Sequence, residues 1–327
     1  MKEYAGMASV FLASFSASTG ALFGKIASNT FQTADIVLVR FIEQLVLVSL
    51  LCLAFKLNPF SEPYLAQQIV RGVLGAITFT GAIYGNAQME LSNATMIRFI
   101  GPLTTMILAK VYLKESVSNI KYFSMSIGFL GVIFVAKPAF LFGERIHKDY
   151  PNRHLAVIVN IISGITLAFS TVLTKKIINK VHILSLMYFF GLVSIFATLP
   201  LQFFKKGQSE WSNAGLPIAM GLCYFFSQGL SNLGIKSIPA SVATLIQISD
   251  TIFGVLYGVL VFGETLDGFS ILGCLMVLSV SLILALEKYH LGNAYHPPCA
   301  IYVQLDEKDK LADEEMELQK IVKYINK

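Results

Sequence analysis

The chain is dominated by apolar runs of about 20 residues, the length a helix needs to cross the hydrocarbon core of a bilayer, and mostly short polar gaps separate them. Inside a bilayer the backbone must satisfy its own hydrogen bonds, which leaves helices or a closed β-barrel. Barrel strands alternate apolar and polar residues. Runs such as VLVSLLCLAF (Val46–Phe55) do not alternate, so the spans are helices. Ten can be counted, at 5–27, 35–57, 66–88, 91–113, 119–138, 154–175, 183–204, 213–235, 239–262 and 267–286. The first begins almost at Met1 and is full-length, so it reads as a retained span, not a cleavable signal. Composition agrees: 55% of residues are hydrophobic, 14% are charged, and mean hydropathy is +0.65. A soluble domain of this length would carry more surface charge.

The longest polar connection, Ala139–Arg153, follows the fifth span and reads as a linker between two halves. The halves resemble one another. ATMIRFIGPLTTMILAKVYLKE (Ala94–Glu115) aligns without gaps with ATLIQISDTIFGVLYGVLVFGE (Ala243–Glu264), and IGFLGV (Ile127–Val132) matches LGCLMV (Leu272–Val277). Spans one and six share a weaker echo, ending in Lys25 and in Lys175-Lys176. With an odd number of spans per half, the second copy must enter the membrane from the opposite side. The expected architecture is all-α and integral to the membrane: ten transmembrane helices as two inverted five-helix repeats, with a solute site at the midplane between them. The expected divisions are a first repeat at 1–138, a linker at 139–153, a second repeat at 154–286 and a cytosolic tail at 287–327. The tail is mixed in charge and reads as partly disordered. Basic residues of the short loops favour a cytosolic amino terminus, while the basic central linker argues the other way.

Several function classes lack support. The net charge of +5 comes from basic residues scattered over loops and helix ends, which is no nucleic-acid footprint. Four cysteines without C-x-x-C, and five histidines without ligand spacing, suggest no metal site and no disulfide framework. No H-E-x-x-H, G-x-S-x-G or phosphate-binding G-x-x-x-x-G-K-[ST] occurs, which disfavours a membrane-embedded enzyme or an ATP-driven pump. No cofactor is expected. A non-transporting scaffold stays open as an alternative.

A charge at the centre of a membrane helix costs roughly 2.5–3.5 kcal/mol or more, so deep ionisable residues should face a cavity or a partner. Four stand out: Arg40 and Glu43 in span two, Arg98 in span four and Asp250 in span nine. Arg98 is the leading candidate for cargo contact, because a guanidinium can hold a carboxylate or phosphate with two parallel hydrogen bonds. It lies about one turn before Pro102, where Gly101-Pro102 can loosen the helix, and its repeat mate is the polar Gln247. The competing expectation is an ion pair of Arg98 with Glu43 or Asp250. Arg40 and Glu43, three residues apart, are expected to pair locally, while Arg40 with Gln44 could face the cavity. Asp250 is the candidate proton carrier. Tyr84 and Gln88 share a face of span three, and Gln228 and Asn232 share one of span eight, so the two pairs could meet across the cavity. Lys25, near a span end, could snorkel. Gly254-x-x-x-Gly258 and its mate Thr105-x-x-x-Ala109 read as close helix packing between spans four and nine.

The ten-span pattern, the duplicated segment ending in L-K-E and the K-P-A-F-L-F-G stretch (Lys137–Gly143) resemble the drug/metabolite transporter superfamily with EamA-type repeats. R-x-x-x-Q in span two (Arg40, Gln44), V-R-G-V-L-G (Val70–Gly75) and A-T-x-I followed by G-P-L are similar to solute carrier family 35, subgroup G. The resemblance implies two five-helix bundles around a central cavity, with spans five and ten peripheral and both termini cytosolic. Arg98 departs from it, since that position is expected to be uncharged. The function implied is secondary transport of a small organic solute by alternating access. An organic anion is the first expectation for cargo, and nucleotide-sugar antiport in the secretory pathway is the alternative. The implied partners are the solute, the lipid bilayer and, as an option, a second copy of the chain in a homodimer. The plasma membrane and a secretory-pathway membrane suit such a chain equally.

Overall fold

A computed structural model describes residues 2–114, 119–136, 151–205, 207–247, 249–264 and 267–291. Among the described residues all regular structure is helical: α1 (Lys2–Ala27), α2 (Thr33–Ala54), α3 (Leu65–Ala87), α4 (Leu91–Ile97), α5 (Ile100–Tyr112), α6 (Asn119–Ala136), α7 (Arg153–Ile177), α8 (Ile183–Thr198), α9 (Gly215–Ser237), α10 (Ala240–Gln247), α11 (Ser249–Phe262) and α12 (Gly268–Leu291). These helices fall at the positions of the predicted spans. Most of the central linker, the K-P-A-F-L-F-G stretch and the tail from residue 292 lie outside the described residues. Met1–Leu284 form one unit, and the end of α12 belongs to a second, Ala285–Lys327.

The helices are inside out relative to those of a water-soluble protein. Along α2 the exposed stripe is Ile42, Val46, Leu50 and Leu53, at 46%, 52%, 58% and 76% exposure, whereas Arg40 and Gln44 on the opposite face are 1% exposed. An outward apolar stripe is stable only against lipid, since water would penalise that area. Six helical segments among the described residues are long and apolar enough to cross a bilayer. The chain is therefore an all-α, multi-pass membrane protein. α3 and α9 are not among the six; they are richer in glycine and in polar residues, and both face the cavity described below.

Span four is interrupted. Helix α4 ends at Ile97, and Arg98 and Phe99 form a turn before α5 begins. There the Phe99 N–H donates to Met96 O at 3.0 Å and the Gly101 N–H to Arg98 O at 2.9 Å, three residues back instead of four. Pro102 has no N–H to offer Arg98 O, so the tighter turn satisfies a carbonyl that a regular helix would leave bare.

Spans four and nine do pack together as their small residues suggest. A β-carbon on Gly254 would lie 2.5 Å from Thr95 Cγ2, and one on Gly258 would lie 3.1 Å from Ser92 Cβ, so only glycine lets α11 approach α4 this closely. Around this seam the contacts are crossed: α1 lies on α9 as α3 lies on α7, α5 on α7 as α1 on α11, and α4 on α11 as α5 on α10.

Candidate functional site

The seven helical stretches α1, α3, α4–α5, α7, α8, α9 and α10–α11 enclose a cavity of about 200 Å³. Helix α4–α5 brings Arg98 to its wall at the turn, where the loosened backbone carries a half-buried side chain flanked by Phe99 and Pro102. Asp250 enters from the first turn of α11. The Ser18 hydroxyl of α1 lies 2.5 Å from Asp250 Oδ1 and 2.9 Å from the Asp250 carbonyl oxygen, and its single proton is shared between these acceptors. Arg98 is within electrostatic reach of Asp250. No ion pair within 4 Å joins Arg98 to Asp250 or to Glu43 among the described residues, so both remain disposed toward the cavity.

Gln228, Asn232 and Gln247 also line the wall, and the Gln247 amide donates to Ser231 Oγ at 3.2 Å. Tyr84 and Gln88 do not join them. Tyr84 packs against the cluster of Met89, Ala94, Met96, Ile97 and Ala156, and Gln88 caps α3 through its backbone. The expected pairing across the cavity thus fails. The last turn of α3 is drawn instead toward Lys25, whose ammonium donates to Met89 O at 2.7 Å and to Asn86 O at 3.4 Å.

Lys25 itself does not snorkel. It is 8% exposed and lies 3.5 Å from Glu264 Oε1. Glu264 in turn accepts from the N–H groups of Leu91 and Ser92 at the start of α4, at 2.6 and 3.0 Å. A carboxylate at a helix N-terminus and an ammonium at a helix C-terminus each neutralise backbone groups that have no helical partner. Lys175 likewise donates to Ile235 O and Ile238 O at 2.8 and 2.7 Å at the end of α9.

Arg40 and Gln44 lie behind the cavity wall, not in it. The Arg40 guanidinium sits 3.8 Å over the Phe79 ring and 5.2 Å from that of Tyr224, and Phe79, Phe190 and Tyr224 also line the cavity. Arg40 Nη1 donates to Gln44 Oε1 at 3.0 Å, and the Gln44 amide continues to Met187 O at 3.0 Å. The expected local pair with Glu43 is not formed. The Glu43 carboxylate instead occupies the space over Gly221 of α9 that any larger residue would fill, and neither of its oxygens has a hydrogen-bond partner.

One charged residue of the wall entered the sequence reading only as part of the V-R-G-V-L-G stretch and not as a site candidate: Arg71. It is 5% exposed and lines the cavity from α3. Its depth, six residues beyond the first residue of α3 or roughly 9 Å along the axis, and the following Gly72 were the available signals. A β-carbon on Gly72 would meet Val193 at 2.6 Å, so α8 closes over this face of α3 and leaves the arginine no outward route.

A sequence model of the EamA-like transporter family matches residues 4–137 and 154–286. A probable transport protein of Saccharomyces cerevisiae is 26% identical over 59% of this chain and 60% of its own length. The pseudopaline exporter CntI of Pseudomonas aeruginosa is 22% identical over 86% of this chain and 96% of its own. Human solute carrier family 35 member G1 is 26% identical over 87% of this chain and 80% of its own. A solved crystal structure shares the fold with a TM-score of 0.66 at 13% identity, covering 88% of this chain and 99% of that one.

Proposed function

Because the chain belongs to the EamA-like transporter family, we propose that its secondary transport of a small solute is transport of an organic anion by alternating access, through two inverted five-helix halves. That it is an integral membrane transporter and not an enzyme follows from the family. The observation that carries the finer reading is the cavity bounded by α1, α3 and α4–α5 together with their counterparts α7, α9 and α10–α11, with Arg98 and Asp250 on its wall. Two further features support the halves as repeats. The contacts between them are crossed in matching pairs. Lys25 and Lys175 cap carbonyls whose sequence offset is the same as that between Ala94 and Ala243. Such an arrangement lets one bundle rock against the other about a fixed midplane site.

The test is exchange in proteoliposomes preloaded with carboxylates, amino acids, nucleotide sugars or sugar phosphates, with labelled uptake and efflux followed at two pH values. Saturable movement of one anion class is expected. Arg98→Ala should abolish or strongly lower it while the protein still inserts, and Asp250→Asn should remove its pH dependence. Undiminished transport by Arg98→Ala removes that residue from the site. A folded protein that moves none of the anions loses the anion assignment.

A further inference from the structure

We infer that Arg71 and Asn232 form an oxyanion subsite in the cavity wall, a place for the carboxylate or phosphate of the cargo distinct from Arg98. The inference rests on the transport reading and names the group that binds. The Arg71 guanidinium is anchored by neutral acceptors: Nε donates to Thr174 Oγ1 at 2.6 Å, Nη1 to Leu186 O at 3.0 Å and Nη2 to Asn232 Oδ1 at 3.3 Å. The Thr174 hydroxyl spends its proton on Ser170 O at 2.7 Å, so it acts on Arg71 only as an acceptor. The Phe190 ring lies 4.9 Å from the guanidinium carbon. These contacts fix the side chain without cancelling its charge, and no carboxylate lies within 4 Å of it among the described residues.

A second observation points the same way. Asn232 is 2% exposed, lines the cavity, and has no hydrogen-bond partner for its Nδ2. Its orientation is set, because its Oδ1 is held by Arg71. Each terminal nitrogen of Arg71 keeps one further N–H. A buried, uncompensated cation therefore stands beside an unused amide donor at the edge of a solute-sized space, and an oxyanion supplies both the missing charge and the missing acceptors. By contrast Arg98 shares its wall with the carboxyl group of Asp250.

The experiment is thermal unfolding of the purified full-length protein in lipid nanodiscs with succinate, glutamate or inorganic phosphate, against chloride at matched ionic strength. At least one oxyanion should raise the wild-type Tm, and its apparent Kd should weaken by about tenfold or more in Arg71→Lys and in Asn232→Asp. Asn232→Asp places a carboxylate against Arg71, so its anion-free Tm should rise as binding is lost. If that variant gains stability yet still binds the oxyanion as wild type does, Arg71 and Asn232 are structural only and the inference is overturned. It is equally overturned if no oxyanion shifts the wild type. The transport reading is judged apart from this: a wild type that moves any labelled solute in proteoliposomes keeps that reading even when the subsite is lost, and one inert in both assays loses both.

Discussion

Arg40 and Arg71 are two arginines on consecutive helices, each almost fully shielded from solvent, and the fold has put them to opposite uses. Around Arg40 stand aromatic rings from α2, α3, α8 and α9, and two of its nitrogens, Nε and Nη2, have no hydrogen-bond partner. Every nitrogen of Arg71 has a partner, and its remaining N–H groups belong to a side chain on the cavity wall. The first is stabilised by aromatic rings in a buried cage, where the attraction is worth about 2 kcal/mol or more. The second is held in geometry and left electrically unsatisfied. Burial alone therefore does not distinguish a structural charge from a binding one. What the charge is offered by its neighbours does.

The comparison is broken most sharply by Arg71→Ala. Truncating one member of a buried charged contact costs about 2–5 kcal/mol, so uptake efficiency for the anion should fall about 30-fold or more in initial-rate measurements. A fall of less than about twofold would make the two arginines equivalent. A smaller effect is expected from Phe79→Leu, which removes the ring nearest to Arg40 and thins the wall between it and the cavity. Stability should drop by about 1–2 kcal/mol, read as a lower Tm, and the drop should shrink when Arg40 is absent, as a double-mutant cycle would register. The smallest effect belongs to Arg40→Met, which exchanges an imperfectly satisfied buried charge for an apolar chain of similar reach. Such exchanges are often neutral or stabilising, so Tm should hold or rise and the transport KM should stay unchanged. A tenfold increase in KM would return Arg40 to the binding site.

Much of this molecule is legible in one dimension because lipid simplifies the rules. The apolar runs mark the helices, Gly101-Pro102 marks the interruption that carries Arg98, and the spacing Gly254-x-x-x-Gly258 marks the seam with α4. Each is a local property of chain chemistry. The depth of Arg98 and Asp250 was legible for the same reason, since charges buried among apolar residues need a polar environment. Lys25, Glu43 and Tyr84 were not. Lys25 is held by carbonyls at and just past the end of α3 and a carboxylate beyond α11, Glu43 by a gap over Gly221, and Tyr84 by a cluster that includes residues of α4 and α7. Each depends on contacts made outside its own helix, and no helical periodicity carries that information.

By itself the sequence determined the solvent of this protein and its helices, because a chain of apolar 20-residue runs can satisfy its backbone in a bilayer only as helices. Tertiary structure alone decided which buried charge meets the cavity. Arg40 and Arg71 bear the same desolvation penalty wherever they are buried. Rings brought in from α8 and α9 screen the first, while a hydroxyl, a carbonyl and an amide from α7, α8 and α9 fix the second at the wall.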